Sequence, residues 1–246
     1  MKKIVVFLLM AAMLTSAATG LAEKLTVGTN AEFPPFEYIG DDGTIQGFDA
    51  DLIAAILDDA GYEHEMVTMD FDALPAALQS GQIDIAIAAM TIREEKKNYV
   101  LFSDSYFNAS QKLVVLEGSA IMSEADITPD MKIGVQLGTT GDVYVTDNIK
   151  CEVVRFTKAL DAMLDMKNGR LDAVMVDAAP SEYFAAAIGG LTVLDENLSD
   201  EQYGIAVKLG NDALMDIINQ GLAKLVEDGT YDKIYQKHFD VKTEAE

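Results

Sequence analysis

Two stretches of this chain repeat one pattern, and that repeat constrains the fold more than any other feature. Residues 77–89 read ALQSGQIDIAIAA and residues 165–177 read DMKNGRLDAVMVD. Gly81 aligns with Gly169, Ile83 with Leu171 and Asp84 with Asp172. Each stretch reads as a helix end, a glycine stop free to take positive φ, and an entry into an apolar strand. Earlier in each half an apolar strand runs into a polar loop, Val27 into 28–30 and Val135 into 136–140. The repetition predicts two similar α/β units, each with its own sheet, rather than one continuous sheet.

Between these landmarks, short apolar runs alternate with helix-like stretches, the pattern of α/β proteins with parallel strands. Strands are predicted over 25–27, 83–88, 113–116, 133–135, 153–156, 173–176 and 205–207. Helices are predicted over 48–60 and 72–80, closed by Gly61 and Gly81. The clearest helix has Asn211 as its cap, Leu214, Ile217, Ile218, Leu222 and Leu225 along one stripe, and Gly229 as its stop. Phe36, Phe48 and Phe102 are predicted in the core.

Ligands of open parallel sheets bind beyond the carboxyl ends of the strands. That rule brings four segments together if the two units face each other: 29–33, 89–96, 136–142 and 177–180. Asp177 ends an apolar run, where its carboxylate either accepts charge-assisted bonds from an ammonium group or caps the following helix. Residues 138–142 (GTTGD) join a strand to a helix. Free N–H groups there, with the hydroxyls of Thr139 and Thr140, suit a carboxylate, and one of these threonines also serves as N-cap. Thr91 precedes a charged run in which Lys96 offers a point charge, while Arg93 reads as part of a solvated helix surface. Phe33 and Phe71 lie just beyond polar turns, where aromatics wall a ligand.

The chain of 246 residues carries 41 acidic against 18 basic side chains, a net charge of −23. That excess argues against nucleic acid or anionic lipid as a partner. Lys2 and Lys3, an apolar run to Leu14 and a small-residue site ending at Ala22 read as a secretory signal peptide over 1–22. Cys151 is the single cysteine, so no intramolecular disulfide forms, and it lies too far from residue 22 for a lipid anchor. His64 and His238 are the only histidines, and both fall outside the four segments. With no Gly-x-Ser-x-Gly, Cys/His set or phosphate loop, the sequence offers no catalytic constellation, metal site or cofactor.

Taken in order, VGTNAEFPPFEY (27–38), GFDADL (47–52), AMTI (89–92), FSD (102–104), GTTGD (138–142) and DGTY (228–231) resemble the polar amino acid family of ABC-transporter solute-binding proteins, family 3. The resemblance covers essentially all of the mature chain. It implies a two-lobed, type II periplasmic-binding-protein fold, with a mostly parallel sheet flanked by helices in each lobe and the ligand cleft between them. Residues 23–110 and 200–246 form the first lobe on this reading, and 111–199 the second. The resemblance further implies that Asp177 holds an α-ammonium group. Thr91, with the Thr139–Thr140 turn, holds the α-carboxylate, and Ala89 opens the same segment. Phe33 and Phe71 flank the side chain, and Asn30 and Gln136 read its tip. Two departures stand out: Lys96 occupies the place of a carboxylate-binding arginine, which leaves Lys96 and Arg93 as alternatives, and Asn30 stands where many relatives carry aspartate.

The expected function is capture of a neutral polar or basic amino acid by lobe closure, and delivery to the membrane permease of an ABC importer. The expected protein is a periplasmic or secreted monomer that is not an enzyme. The alternatives are a secreted dehydratase acting on arogenate or prephenate, built on the same fold, and a receptor presenting its ligand to a membrane sensor.

Overall fold

A computed structural model describes residues 24–239. The predicted signal peptide over 1–22 lies outside the described residues.

Two five-stranded sheets form the frame. In the first, Leu25–Thr29 lies between His64–Thr68 and Ile85–Ala86, all parallel, followed by Ala206–Lys208 and then Val100–Phe102, each antiparallel to its predecessor. In the second, Lys132–Gln136 lies between Glu152–Phe156 and Ala173–Asp177, all parallel, followed by Gln111–Leu116 and Leu191–Val193 in the same alternating manner. Each sheet therefore has four strands running one way and one reversed. The reversed strand is, in both cases, the first that the chain makes after crossing from the other sheet. This is the mostly parallel sheet expected for each lobe, and the reversed strand is the one by which the crossing chain enters it.

The two crossing segments pair with each other as a short antiparallel ladder, Phe107–Ala109 with Glu201–Tyr203. A further small sheet joins Glu32–Phe33, Glu37–Ile39 and Ile45–Gln46 beside the first sheet.

The repeat seen in the sequence has a structural cause. Gly81 and Gly169 both take positive φ, 75° and 72°, and turn the chain out of a helix. Asp84 then clamps the start of the first strand, its N–H donating to Thr26 O at 2.8 Å and its Oδ2 accepting from Thr26 N at 2.8 Å. Asp172 makes the same pair of bonds with Lys132, at 2.9 and 2.7 Å. One carboxylate thus fixes the edge of the central parallel pair in each sheet, a charge-assisted bond to backbone at an otherwise open strand end.

Several elements differ from their predicted bounds. The strand over 83–88 shortens to Ile85–Ala86; Ile87 N–H still donates to Gly28 O, and the chain bends at Ala88 and Ala89. The helix over 72–80 begins as a 3-10 turn, Phe71–Ala73, and becomes α-helical at Leu74–Ser80 with a proline in its first turn. Asp212–Glu227 is helical, but Asn211 makes no side-chain capping bond, and Met215 rather than Ile217 completes the buried stripe. A last helix, Thr230–Phe239, follows it. Phe36 and Phe48 are fully buried, whereas Phe102 is only partly so.

Phe36, Phe48, Phe107, Tyr203 and Phe239 pack as an aromatic cluster where the crossing segments meet the first lobe. Their ring centroids are 4.9 to 6.2 Å apart. Contacts of this kind add to area burial and fix ring orientation. Here they hold the Tyr203 ring so that its hydroxyl points to the cleft.

Candidate functional site

Nine of the ten residues singled out from the sequence line one cavity: Asn30, Phe33, Phe71, Ala89, Thr91, Gln136, Thr139, Thr140 and Asp177. Glu37 and Ala88 complete its wall. The lining follows the carboxyl ends of two strands from each sheet, as the parallel-sheet rule requires. The free space is about 10 Å³, room for about one water molecule. Larger grooves of about 510 and 640 Å³ open on the surface around Asn219 and Glu182. Buried polar side chains from both sheets converge on the small cavity, and that convergence makes it the candidate site.

Asp177 is the last residue of its strand and directly precedes the helix Ala178–Ile188, yet its carboxylate makes no capping bond. The sequence left capping and ligand binding open for this residue, and the geometry removes capping. Its Oδ1 accepts instead from the Tyr203 hydroxyl at 2.5 Å. Among the described residues no cation pairs with it. Burial, and then the negative charge of Glu201, push the Asp177 carboxyl up to about 7. A carboxylate that is buried, hydrogen-bonded on one side and free of a cation is set up to receive one.

At the opposite wall Thr139 is the N-cap of the helix Thr140–Asn148. Its Oγ1 accepts from Asp142 N at 3.2 Å and donates to Gln136 O at 2.8 Å. The first intrahelical bond is that of Val143 N to Thr139 O, so the N–H groups of Thr140 and Gly141 lead the helix without an intrahelical partner. Thr91 is bridged to Tyr203 on the crossing segment, and its hydroxyl donates to Glu201 Oε2 at 2.6 Å. Ser199 holds the other oxygen of Glu201 at 2.5 Å.

Asn30 and Gln136 meet across the cleft. Gln136 Nε2 donates to Asn30 Oδ1 at 2.9 Å and to Thr157 O at 3.0 Å, while Asn30 Nδ2 donates to Met69 O at 2.9 Å. A second bond between the lobes joins Lys158 to Glu32, 2.5 Å apart. Ala89 has φ 46°, the one non-glycine residue at positive φ among those described, and its N–H donates to Asp49 Oδ2 at 2.8 Å. Strain of this kind persists only where the surroundings impose it, and it clusters at functional sites.

Lys96 is the one predicted residue outside the lining. It begins a short 3-10 turn, and its Nζ lies 4.9 Å from the centroid of the Phe71 ring, a cation–π contact. Burial, and then the neighbouring Arg93, bring its ammonium group down to about 7. Arg93 lies beside Glu95 at 3.2 Å with most of its side chain covered, contrary to the solvated position expected for it.

Sequence reasoning missed Glu37, Tyr203 and Glu201, all buried at or just behind the cavity. Glu37 carries no readable signal, because Ile39, on the same strand face, is 49% exposed. Tyr203 and Glu201 reach the site only because the returning segment pairs with the outgoing one.

The comparisons with known proteins agree with this geometry. Bacterial extracellular solute-binding proteins, family 3, match over residues 25–241. A probable histidine-binding protein of Neisseria gonorrhoeae is 35% identical over 219 residues, covering 87% of this chain and 82% of that protein. ABC transporter arginine-binding protein 1 of Escherichia coli (strain K12) is 34% identical, covering 97% of this chain and 99% of that one. Among solved structures, an ancestral arginine-binding protein bound to arginine superimposes with a TM-score of 0.84 at 43% identity, covering 88% of this chain and 98% of that one. An ancestral arginine-binding protein bound to glutamine gives 0.83 at 43% identity, covering 88% and 97%. With a two-sheet frame, a cleft between the sheets and matches along nearly its whole described length, the chain belongs to family 3 of the bacterial extracellular solute-binding proteins.

Proposed function

We propose that this protein captures a polar amino acid between its lobes and delivers it to an ABC importer in the membrane. The observation that carries the reading is Asp177: a buried carboxylate at a strand end, facing the cavity and held by a neutral hydroxyl, with no cation beside it among the described residues. An α-ammonium group supplies that cation. The leading N–H groups of Thr140 and Gly141, with Thr91 and the charge of Lys96, take the α-carboxylate. Phe33 and Phe71 wall the side chain, Ala89 closes the floor, and Asn30 and Gln136 meet the tip.

The cavity is too small for an amino acid, so the lobes must part for entry and exit. The lobes on this reading are residues 23–110 with 200–246, and residues 111–199. The two crossing segments, Phe107–Ala109 and Glu201–Tyr203, lie at their junction. A ligand shifts the population toward closure through contacts made only when both walls are present. Secretion through the signal peptide at 1–22, a periplasmic or extracellular location and a monomeric state complete the proposal. No helix among the described residues is long and apolar enough to cross a membrane. The relatives named above are binding proteins, and the proposal includes no chemical step.

A thermal-shift screen of residues 23–246 against the twenty amino acids tests it, since a ligand that binds only the folded state raises the melting temperature by mass action. A large shift with one or two polar amino acids supports the reading, and no shift with any of them overturns it.

One observation favours a second reading. A carboxyl near 7 inside a cavity is also what a general acid or base needs. Incubation with arogenate or prephenate decides between the two, because an aromatic product would establish a dehydratase.

A further inference from the structure

Glu37 lines the cavity and is 1% exposed, yet no part has been assigned to it. Both of its carboxyl oxygens are buried without a hydrogen-bond donor from the surrounding protein. An ionised carboxylate in that position would lose its hydration with nothing in return.

Its neighbour is Asp49, on the helix Phe48–Asp59. The two carboxyls lie against each other. Asp49 Oδ2 accepts from Ala89 N–H at 2.8 Å and from the Tyr106 hydroxyl at 2.9 Å, while Asp49 Oδ1 has no other partner. Two carboxyls in contact do not both ionise. One proton between Glu37 and Asp49 Oδ1 therefore satisfies an atom on each. Asp49, with two donors already in place, is the ionised member, and Glu37 is the acid that carries the proton.

Among the described residues no cation reaches Glu37. On the same helix, Asp51 is engaged by Lys237 and His238 of the last helix. On the adjoining strand, Glu32 is engaged by Lys158. Arg93 sits beside Glu95, and Lys96 lies over Phe71. The remaining titratable groups that act on Glu37 are Asp177 and the phenol of Tyr106, both acids, while His238 acts on Asp49. Burial and the charges of Asp49 and Asp177 accordingly push Glu37 well above the usual carboxylate range.

We propose that Glu37 is a ligand-contacting residue, held as a neutral acid by Asp49, which presents an uncharged oxygen acceptor to the ligand's ammonium group beside the Asp177 carboxylate. The inference rests on the amino-acid-binding reading. It also accounts for charge in the cleft. The ammonium has three N–H groups to place and one positive charge to neutralise. Asp177 supplies the opposing charge, and a neutral Glu37 supplies a further acceptor without adding a second one.

The test compares Glu37→Gln and Glu37→Leu by calorimetric titration with L-glutamine and L-arginine. Gln keeps a carbonyl acceptor and an N–H donor toward Asp49, so its affinity stays within about threefold of the unsubstituted chain. Leu removes both and weakens binding about tenfold or more. Equal weakening by Gln and Leu would show that a charge is needed, and no weakening by Leu would show that there is no contact; either overturns the proposal. The difference infrared spectrum between the unsubstituted chain and Glu37→Gln at pH 7 gives an independent measurement that does not require Glu37→Leu to fold. A protonated-carboxyl C=O band that disappears in the Gln variant supports the neutral acid, and its absence overturns it. Failure of the unsubstituted chain to bind any amino acid is a separate outcome, which removes the binding reading and this inference together.

Discussion

Gln136 donates its side-chain amide to Asn30 Oδ1 at 2.9 Å across the cleft, joining the two lobes by one hydrogen bond. Both N–H groups of Gln136 Nε2 are thereby engaged, the second by Thr157 O, while Asn30 Nδ2 gives one of its two to Met69 O. That leaves Gln136 Oε1, the second lone pair of Asn30 Oδ1 and one N–H of Asn30 for a ligand tip. With two acceptors against one free N–H, a tip that donates, such as an amide or a guanidinium, is expected to bind more tightly than a carboxylate. Asn30→Asp keeps the acceptor and adds a negative charge. It is expected to raise the ratio of arginine to glutamine affinity about tenfold or more. Paired calorimetric titrations measure that ratio, and an unchanged value would place the tip elsewhere.

Affinity should peak near pH 7. Asp177 and Lys96 both titrate at about 7, but the site needs them in opposite states. As pH falls below that value Asp177 takes a proton and loses the charge that holds an ammonium group. As pH rises above it Lys96 loses its proton and the charge that faces a carboxylate. Each limb steepens to at most about tenfold in dissociation constant per pH unit. Titrations from pH 5 to 9 measure the profile. Lys96→Met should remove the alkaline limb and keep the acid one, and a flat profile in the unsubstituted chain would refute the pairing.

Asp177→Asn should abolish binding and stabilise the ligand-free fold. The native carboxyl is raised from 3.8 to about 7. Between those values the folded state holds a proton that the unfolded chain has lost, so the stability this group contributes falls as pH rises toward 7. An asparagine keeps an acceptor for Tyr203 and removes that loss. The melting temperature at pH 8 is expected to rise by roughly 3–8 °C. A fall instead would mean that Asp177 is held by a partner the geometry does not show.

The Lys158–Glu32 pair tests the closed state without touching the cavity chemistry. Lys158 belongs to the second lobe and Glu32 to the first, 2.5 Å apart. Lys158→Ala is expected to speed ligand dissociation about two- to fivefold and to leave association nearly unchanged, the modest effect of a partly exposed pair. Stopped-flow fluorescence separates the two rates. Slower association with unchanged dissociation would contradict a role confined to closure.

Asp172→Ala and Asp84→Ala should each destabilise by about 1–3 kcal/mol, the cost of leaving a strand-end N–H without its charged acceptor. Chemical denaturation reads the loss. Because the two residues clamp different sheets, their effects should add in the double variant.

Much of the site was legible because its parts are local. Asp177, the 138–142 turn and Asn30 each follow directly from a strand end, where side-chain periodicity and the carboxyl-end rule apply within a few residues. The repeated Gly and Asp positions announced two sheets for the same reason, since a glycine stop and the clamping carboxylate act on adjoining chain. Lys96 was placed in the site by its position after Thr91. A short 3-10 turn carries it onto the face of Phe71, which lines the cavity, and no periodic signal marks a turn of that length.

The sequence by itself determined the α/β class, the two-unit organisation and most of the cavity wall, because strand ends, glycine stops and apolar runs are written in neighbouring residues. Tertiary structure alone decided which carboxyls face the ligand and in what charge state. Tyr203 reaches Asp177, and Glu201 reaches Thr91 from 110 positions away, only after the returning segment pairs with the outgoing one. Glu37 and Asp49 become a proton-sharing pair only when burial removes the water that would otherwise ionise both.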